Sequence, residues 1–230
     1  NTGNKGAALN VQTYFNTGPK YLPNCSITHC TFLNNQDIDS TPALIFLDNL
    51  QENVLETDIT ISDCTFQGNL NENSADAYCI LGEGRSFTIE RNNFDNTNID
   101  YPCGAIYIQR HSVITIFNND FLQCKPHAIY YDPQRGEPAE ENISITSCAF
   151  DAGHTTFQDL SGDDVDGIAM KLNLQSSNIR LEQLQFYNHF ANQYILSISF
   201  STNPDPDNID FNQLNFSHNT INMVSGSHGG

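Results

Sequence analysis

One eight-residue pattern recurs seven times along the chain, and any fold must explain why. The copies are CSITHCTF ending at Phe32, ITISDCTF at Phe66, FTIERNNF at Phe94, ITIFNNDF at Phe121, ISITSCAF at Phe150, IRLEQLQF at Phe186 and IDFNQLNF at Phe216. Successive phenylalanines are 34, 28, 27, 29, 36 and 30 residues apart. A constant motif at irregular spacing is what insertions in turns produce.

Aligned on those phenylalanines, the chain separates into columns. Seven residues upstream stand Cys25, Ile59, Phe87, Ile114, Ile143, Ile179 and Ile209, and five upstream stand Ile27, Ile61, Ile89, Ile116, Ile145, Leu181 and Phe211. Between these apolar columns lie Ser26, Thr60, Thr88, Thr115, Ser144, Arg180 and Asp210, the alternation of a strand with one face buried. Two residues before each Phe comes a third inward column of Cys30, Cys64, Asn92, Asn119, Cys148, Leu184 and Leu214. Asn92 and Asn119 fall in consecutive repeats, where stacked amides are expected to hydrogen-bond each other and nearby backbone.

A second short run precedes each motif: AALNV at 7, ALIFL at 43, AYCIL at 77, AIYI at 105, AIYY at 128, GIAMKL at 167 and YILSISF at 194. These runs are rich in β-branched and aromatic residues and too short for helices. Two or more strands per repeat, with like residues in register, predict an all-β parallel solenoid of about seven coils. A β-sandwich is the alternative, but antiparallel sandwiches have no need of matched columns. Residues 1–224 read as a single domain, and 225–230 as a flexible tail. The chain opens at Asn1 without a Met or a charged-then-apolar leader, which reads as a processed protein or an excised segment.

Charge narrows the partners. Nine Lys and Arg against 27 Asp and Glu give a net charge of −18, the wrong sign for nucleic acid or an anionic membrane surface. No window of about 18 apolar residues occurs, so no membrane span is expected. Contact with an acidic polysaccharide would need bridging cations.

Seven cysteines are an odd number, so at least one is free or intermolecular. Cys30 and Cys64 share a column, but parallel neighbours stand about 4.8 Å apart whereas a disulfide wants Cβ atoms near 3.8 Å; two packed thiols are expected. Cys103 and Cys124 lie in turns leading into consecutive coils and are the one disulfide pair anticipated. Asn24, Asn142 and Asn215 head glycosylation sequons, each at an outward position where a glycan would not disturb the core. His29 falls at an outward position and reads as a surface histidine; no HxxxH or Cys-x-x-Cys spacing points to zinc.

Gly104, Ala105 and Ile106 in CGAIYI, with Phe32/Asn35, Phe66/Asn69 and Phe216/Asn219, resemble the right-handed parallel β-helix, or pectin-lyase-like, superfamily. Within it the chain is most similar to the repeats of chlamydial polymorphic outer-membrane proteins, which pair GGA-(I/L/V) with Phe-x-x-Asn. Cys103 replaces the first Gly, and four of the seven motifs lack the Asn at that spacing. The resemblance implies a right-handed β-helix that is extracellular or on the cell surface, often an adhesin or a module of a longer chain.

Many proteins of this superfamily cleave acidic polysaccharides, so catalysis has to be weighed. The stretch SGDDVDGI places Asp163, Asp164 and Asp166 in one turn, faintly resembling the acidic motif of polygalacturonases. The Gly-His-Gly and Arg-x-Lys segments of that resemblance are missing. The three carboxylates read as a solvated acidic turn, with calcium as the alternative occupant, and no other cofactor is expected. Tyr107, Tyr130 and Tyr131 could offer a sugar-stacking platform, but periodicity does not place them inside or outside. The expected function is a non-catalytic structural, adhesion or fibre-forming β-helix module. Its expected partners are other copies stacked end to end, other surface proteins, or carbohydrate. The alternative is a polysaccharide lyase or glycoside hydrolase acting on an acidic glycan.

Overall fold

The computed structural model describes residues 2–3, 8–12, 24–37, 43–48, 58–71, 78–83, 86–97, 103–109, 113–125, 127–132, 141–153, 157–158, 164–165, 168–174, 177–191, 194–200 and 208–221. All regular structure among them is strand, and no helix there is long and apolar enough to cross a membrane.

Three parallel sheets of seven strands each carry the fold. Sheet 1 contains Leu9–Gln12, Ala43–Asp48, Tyr78–Glu83, Gly104–Gln109, His127–Tyr131, Ile168–Leu174 and Leu196–Phe200. Sheet 2 contains the repeat strands Cys25–Thr28, Asp58–Ser62, Ser86–Glu90, Val113–Phe117, Glu141–Thr146, Ser177–Glu182 and Asn208–Asn212. Sheet 3 contains Thr31–Leu33, Thr65–Gln67, Asn93–Asp95, Asp120–Leu122, Ala149–Asp151, Gln185–Tyr187 and Asn215–Ser217. The chain visits sheets 1, 2 and 3 in turn and advances one strand per circuit, which makes a parallel β-helix of seven coils. Right-handed crossovers are the rule for such connections.

The columns read from the sequence are the observed register. Ile59, Phe87, Ile114, Ile143, Ile179 and Ile209 pair strand to strand, as do Ile61, Ile89, Ile116, Ile145, Leu181 and Phe211. The seven motif phenylalanines pair likewise in sheet 3. Their rings form one stack, with centroids 4.7–5.1 Å apart and planes within 10° of parallel. The spacing between parallel strands, about 4.8 Å, lies within the range at which aromatic rings pack favourably. One repeat therefore satisfies backbone and side chain together.

Sheets 2 and 3 meet at a corner of two residues. The first is left-handed in every coil: His29, Asp63, Arg91, Asn118, Ser147, Gln183 and Gln213 have φ between 54° and 56°. None is glycine, so each corner costs about 1–2 kcal/mol of backbone strain. The corners persist because they stay in the ladder: the amides of Asp63, Arg91 and Asn118 each donate to a carbonyl of the next coil at 3.1 Å. His29 is exposed at the first of these corners.

The second corner residue points inward and makes the column of Cys, Asn and Leu. Asn119 is fully buried, and its Oδ1 accepts from the backbone N–H of Asn92 at 2.9 Å and from Asn92 Nδ2 at 3.0 Å. Its own Nδ2 donates to Ile89 O at 2.9 Å and Phe117 O at 3.1 Å. Asn92 repeats the arrangement one coil earlier, accepting from Cys64 N and donating to Ile61 O. Each buried amide thus satisfies backbone groups that the tight corner strips from the ladder. Asn69 and Asn219 do the same at the next corner, after sheet 3, Asn69 accepting from the backbone N–H of Asn35 and Asn219 from that of His189.

One apolar core runs through the coils, but the last coil leaves it bare. Ile209, Phe211 and Phe216 are 40%, 52% and 48% exposed, whereas their neighbours in the preceding coil, Ile179, Leu181 and Phe186, are 2% exposed or less.

Candidate functional site

The outward face of sheet 1 gathers the chemistry that the repeat does not explain. Leu81, Tyr107, Tyr130 and Lys171 are register partners on successive strands. Tyr131, the next residue along, is 2% exposed and belongs to the core. The three tyrosines that periodicity left open are thereby placed: Tyr107 and Tyr130 outside, Tyr131 inside.

The rings of Tyr107 and Tyr130 stack at 4.7 Å with planes 12° apart, and Lys171 Nζ lies 5.2 Å from the Tyr130 centroid, a cation–π geometry. Tyr78 leans on Tyr107 at 5.2 Å, and its hydroxyl meets His127 Nδ1 at 2.8 Å across one intervening strand. That reach depends on Gly104. A Cβ at residue 104 would lie 2.4 Å from Tyr78 Cδ1 and 2.7 Å from His127 O. The glycine of CGAIYI therefore makes room for a ring crossing the strand.

A polar lane flanks the rings. The Tyr130 hydroxyl donates to Asp132 Oδ2 at 3.1 Å, Asn173 Nδ2 donates to Asp132 Oδ1 at 3.3 Å, and Ser199 Oγ donates to Asn173 Oδ1 at 2.7 Å. Flat aromatic faces beside carboxylate, amide and ammonium groups suit a ligand with one apolar face and a hydroxylated rim.

Burial, with the nearby charge of Lys171 as a smaller cause, pushes His127 from its ordinary 6.5 down to about 4. The folded protein therefore holds this imidazole neutral while the unfolded chain protonates it. Stability should be complete above pH 6.5 and fall by about 3 kcal/mol as pH drops toward 4, levelling off below. Urea unfolding across that range checks this limb of the curve, and His127→Gln should flatten it. An unchanged pH profile in the variant would show that other groups carry it.

Sheet 2 presents a shallow groove of about 620 Å³ lined by Val113, Asn142, Asn178, Arg180, Asn208 and Asp210, among others. Asn142 Oδ1 accepts from Asn178 Nδ2 at 3.1 Å, and Arg180 pairs with Glu182. The three sequon asparagines, Asn24, Asn142 and Asn215, are all exposed. The pairing of Cys25 with Ile59 sets Asn24 beside Asp58, in the column that continues to Asn142.

No S–S bond joins any of the seven cysteines in this structure. Cys30, Cys64 and Cys148 turn their sulfurs toward carbonyls two residues back, those of Thr28, Ser62 and Thr146, at 3.3, 3.1 and 3.3 Å. Burial pushes the Cys148 thiol up to about 11 and raises Cys25 and Cys64, so none is poised as a nucleophile. Cys103 and Cys124 occupy one cluster, yet it is Cys79 whose Sγ lies 3.3 Å from that of Cys103. Sequence columns aligned on Phe could not show this, because Cys79 belongs to the other strand of the repeat.

Asp163 and Asp166 lie outside the described residues, and Asp164 is described only as backbone, pairing antiparallel with Gln158. Among the described residues no group of three or more His, Cys, Asp or Glu side chains is arranged to hold a metal ion. Tyr78, His127 and Asp132 escaped sequence reasoning as a group, although a second alignment, on the sheet 1 strands, would have set Tyr107, Tyr130 and Lys171 in one column. No protein-family model, curated protein or solved structure matches this chain.

Proposed function

We propose that this chain is a non-catalytic extracellular or cell-surface β-helix, a structural or adhesion module that assembles end to end. The observation that carries the proposal is the bare last coil. Its strands present the same apolar columns as the interior, with Ile209, Phe211 and Phe216 about half exposed. Among the described residues no polar cap of the kind a terminal repeat needs covers this coil, and its edge strands are templates for a further parallel strand.

The occupant that suits this surface is the first coil of a second copy. That coil offers Cys25, Ile27 and Phe32 in the same columns and register, with Cys25 and Phe32 only partly buried. A net charge of −18 opposes the contact, so salt should promote it: at about 1 M the Debye length is ~3 Å and the repulsion is screened. Sedimentation velocity over a concentration series, at low and high salt, is expected to show association that the Phe211→Asp, Phe216→Asp double variant abolishes. A monodisperse species at every concentration and salt would sink the stacking proposal.

The pectin-lyase-like resemblance and the exposed sequons support the extracellular setting. A glycan partner is the second reading, favoured by the Tyr107–Tyr130 stack and its polar flank. Its catalytic version, cleavage of an acidic glycan, predicts depolymerisation that Asp163→Asn with Asp164→Asn removes. Binding without cleavage, lost in Tyr107→Ala, would instead identify an adhesin.

A further inference from the structure

Cys79 and Cys103 belong to consecutive strands of sheet 1, the first inside Tyr78–Glu83 and the second immediately before Gly104–Gln109. They are 0% and 3% exposed, and their sulfurs lie 3.3 Å apart. A disulfide needs about 2.05 Å, so closing the gap takes a shift of roughly 1.2 Å shared between two side chains.

A third thiol is close but differently engaged. Cys124 Sγ turns toward Phe94 O at 3.8 Å and Leu122 O at 3.7 Å. The Asn96 amide lies against both sulfurs, with Nδ2 3.8 Å from Cys103 Sγ and 3.9 Å from Cys124 Sγ. Asn96 is anchored there by its 2.8 Å hydrogen bond to Cys103 O. Its Oδ1 is buried without a hydrogen-bond partner among the described residues. Cys103 is thus in contact with Cys79 while an amide packs against both Cys103 and Cys124.

We propose that Cys79 and Cys103 are a disulfide pair that clamps the third strand of sheet 1 to the fourth, and that Cys124 remains a thiol. The bond forms by exchange with a disulfide of the glutathione class. One cysteine thiolate attacks that disulfide, making a mixed disulfide and releasing one glutathione thiol. The second cysteine then attacks the protein-side sulfur and releases the other. The protein loses two hydrogens, and the oxidant is reduced to two thiols. Both cysteines are buried, so the exchange takes place before the core closes and the folded reduced protein resists it.

Persistence of the clamp rests on the extracellular setting proposed above, because disulfides survive in oxidising compartments, while the pairing itself is tested on the isolated chain. To test it, the full chain is unfolded, reduced, refolded in a mixture of oxidised and reduced glutathione, alkylated under denaturing conditions and digested. Mass spectrometry should find one cross-linked peptide pair joining Cys79 to Cys103, with Cys124 alkylated, and Cys124→Ala should leave the link in place. Closing the 24-residue separation should raise the melting temperature of the oxidised form by roughly 5–10 °C over the reduced form. A Cys103–Cys124 link, three alkylated thiols after oxidative refolding, or equal melting temperatures would overturn the proposal.

Discussion

Phe94→Ala is expected to lower the stability of the fold by about 4 kcal/mol, the cost of emptying a fully packed aromatic site. The ring is completely buried and stacks on Phe66 at 4.7 Å and on Phe121 at 5.1 Å. Removing it takes away both faces of a stack, and strands held in a continuous ladder cannot close by the ring's thickness to fill the gap. Phe216→Ala offers the internal comparison. That ring is 48% exposed and stacks on one side only, so its loss should cost about 1 kcal/mol. Urea unfolding of the two variants checks the difference. Because a solenoid is quasi-one-dimensional, hydrogen exchange should also rise first in the strands flanking residue 94. Equal destabilisation by the two changes would mean that the stack is not what holds the coils in register.

The second large effect is expected at Asn119. Asn119→Ala removes the acceptor for the Asn92 amide and the donor to Ile89 O, at a position with no access to water. Each abandoned buried group costs about 1–3 kcal/mol, and the missing side chain leaves a void, so a total of about 4 kcal/mol is expected. Asn119→Leu separates the two contributions. Leucine occupies the same column at Leu184, fully buried, so it fills the space while leaving the backbone groups unanswered. It should recover less than half of the loss in a thermal or urea melt. Full recovery would show that the amide is present for its volume and that the corner needs no hydrogen bonds from it.

Much of the fold was legible in the chain before any coordinate. The Phe, Ile and Cys/Asn/Leu columns are facts about spacing, and a parallel ladder converts spacing into register because one strand step per coil sets like above like. Asn92 and Asn119 were readable for the same reason: two amides in one inward column one coil apart can only meet each other and the adjacent backbone.

The tyrosine face was not readable, and sheet 1 shows why. Cys79 and Ile80 are adjacent in sequence and both enter the core, as do Ala105 with Ile106, Ala128 with Ile129 and Ala169 with Met170. Strict alternation assigns neighbouring residues to opposite faces, so it fails wherever a strand breaks phase in this way. Tyr107, Tyr130 and Tyr131 fall just after the break. The left-handed corners were hidden for a related reason: Arg91, Ser147 and Gln183 carry no sequence preference for positive φ, and the conformation is imposed by the inward residue that follows and by the amide that must reach the next coil.

By itself the sequence determined the repeat, the register and the residues that stack, because those depend only on periodicity and on the fixed spacing of parallel strands. Tertiary structure alone decided three things: which tyrosines face outward, which thiol meets Cys103, and that Ile209, Phe211 and Phe216 in the last described coil are about half exposed. Each depends on local departures from the repeat: a phase break, a bend between sheets, or exposure at the end of the described ladder. Such departures are settled by packing against neighbours distant in the chain, which no periodicity encodes.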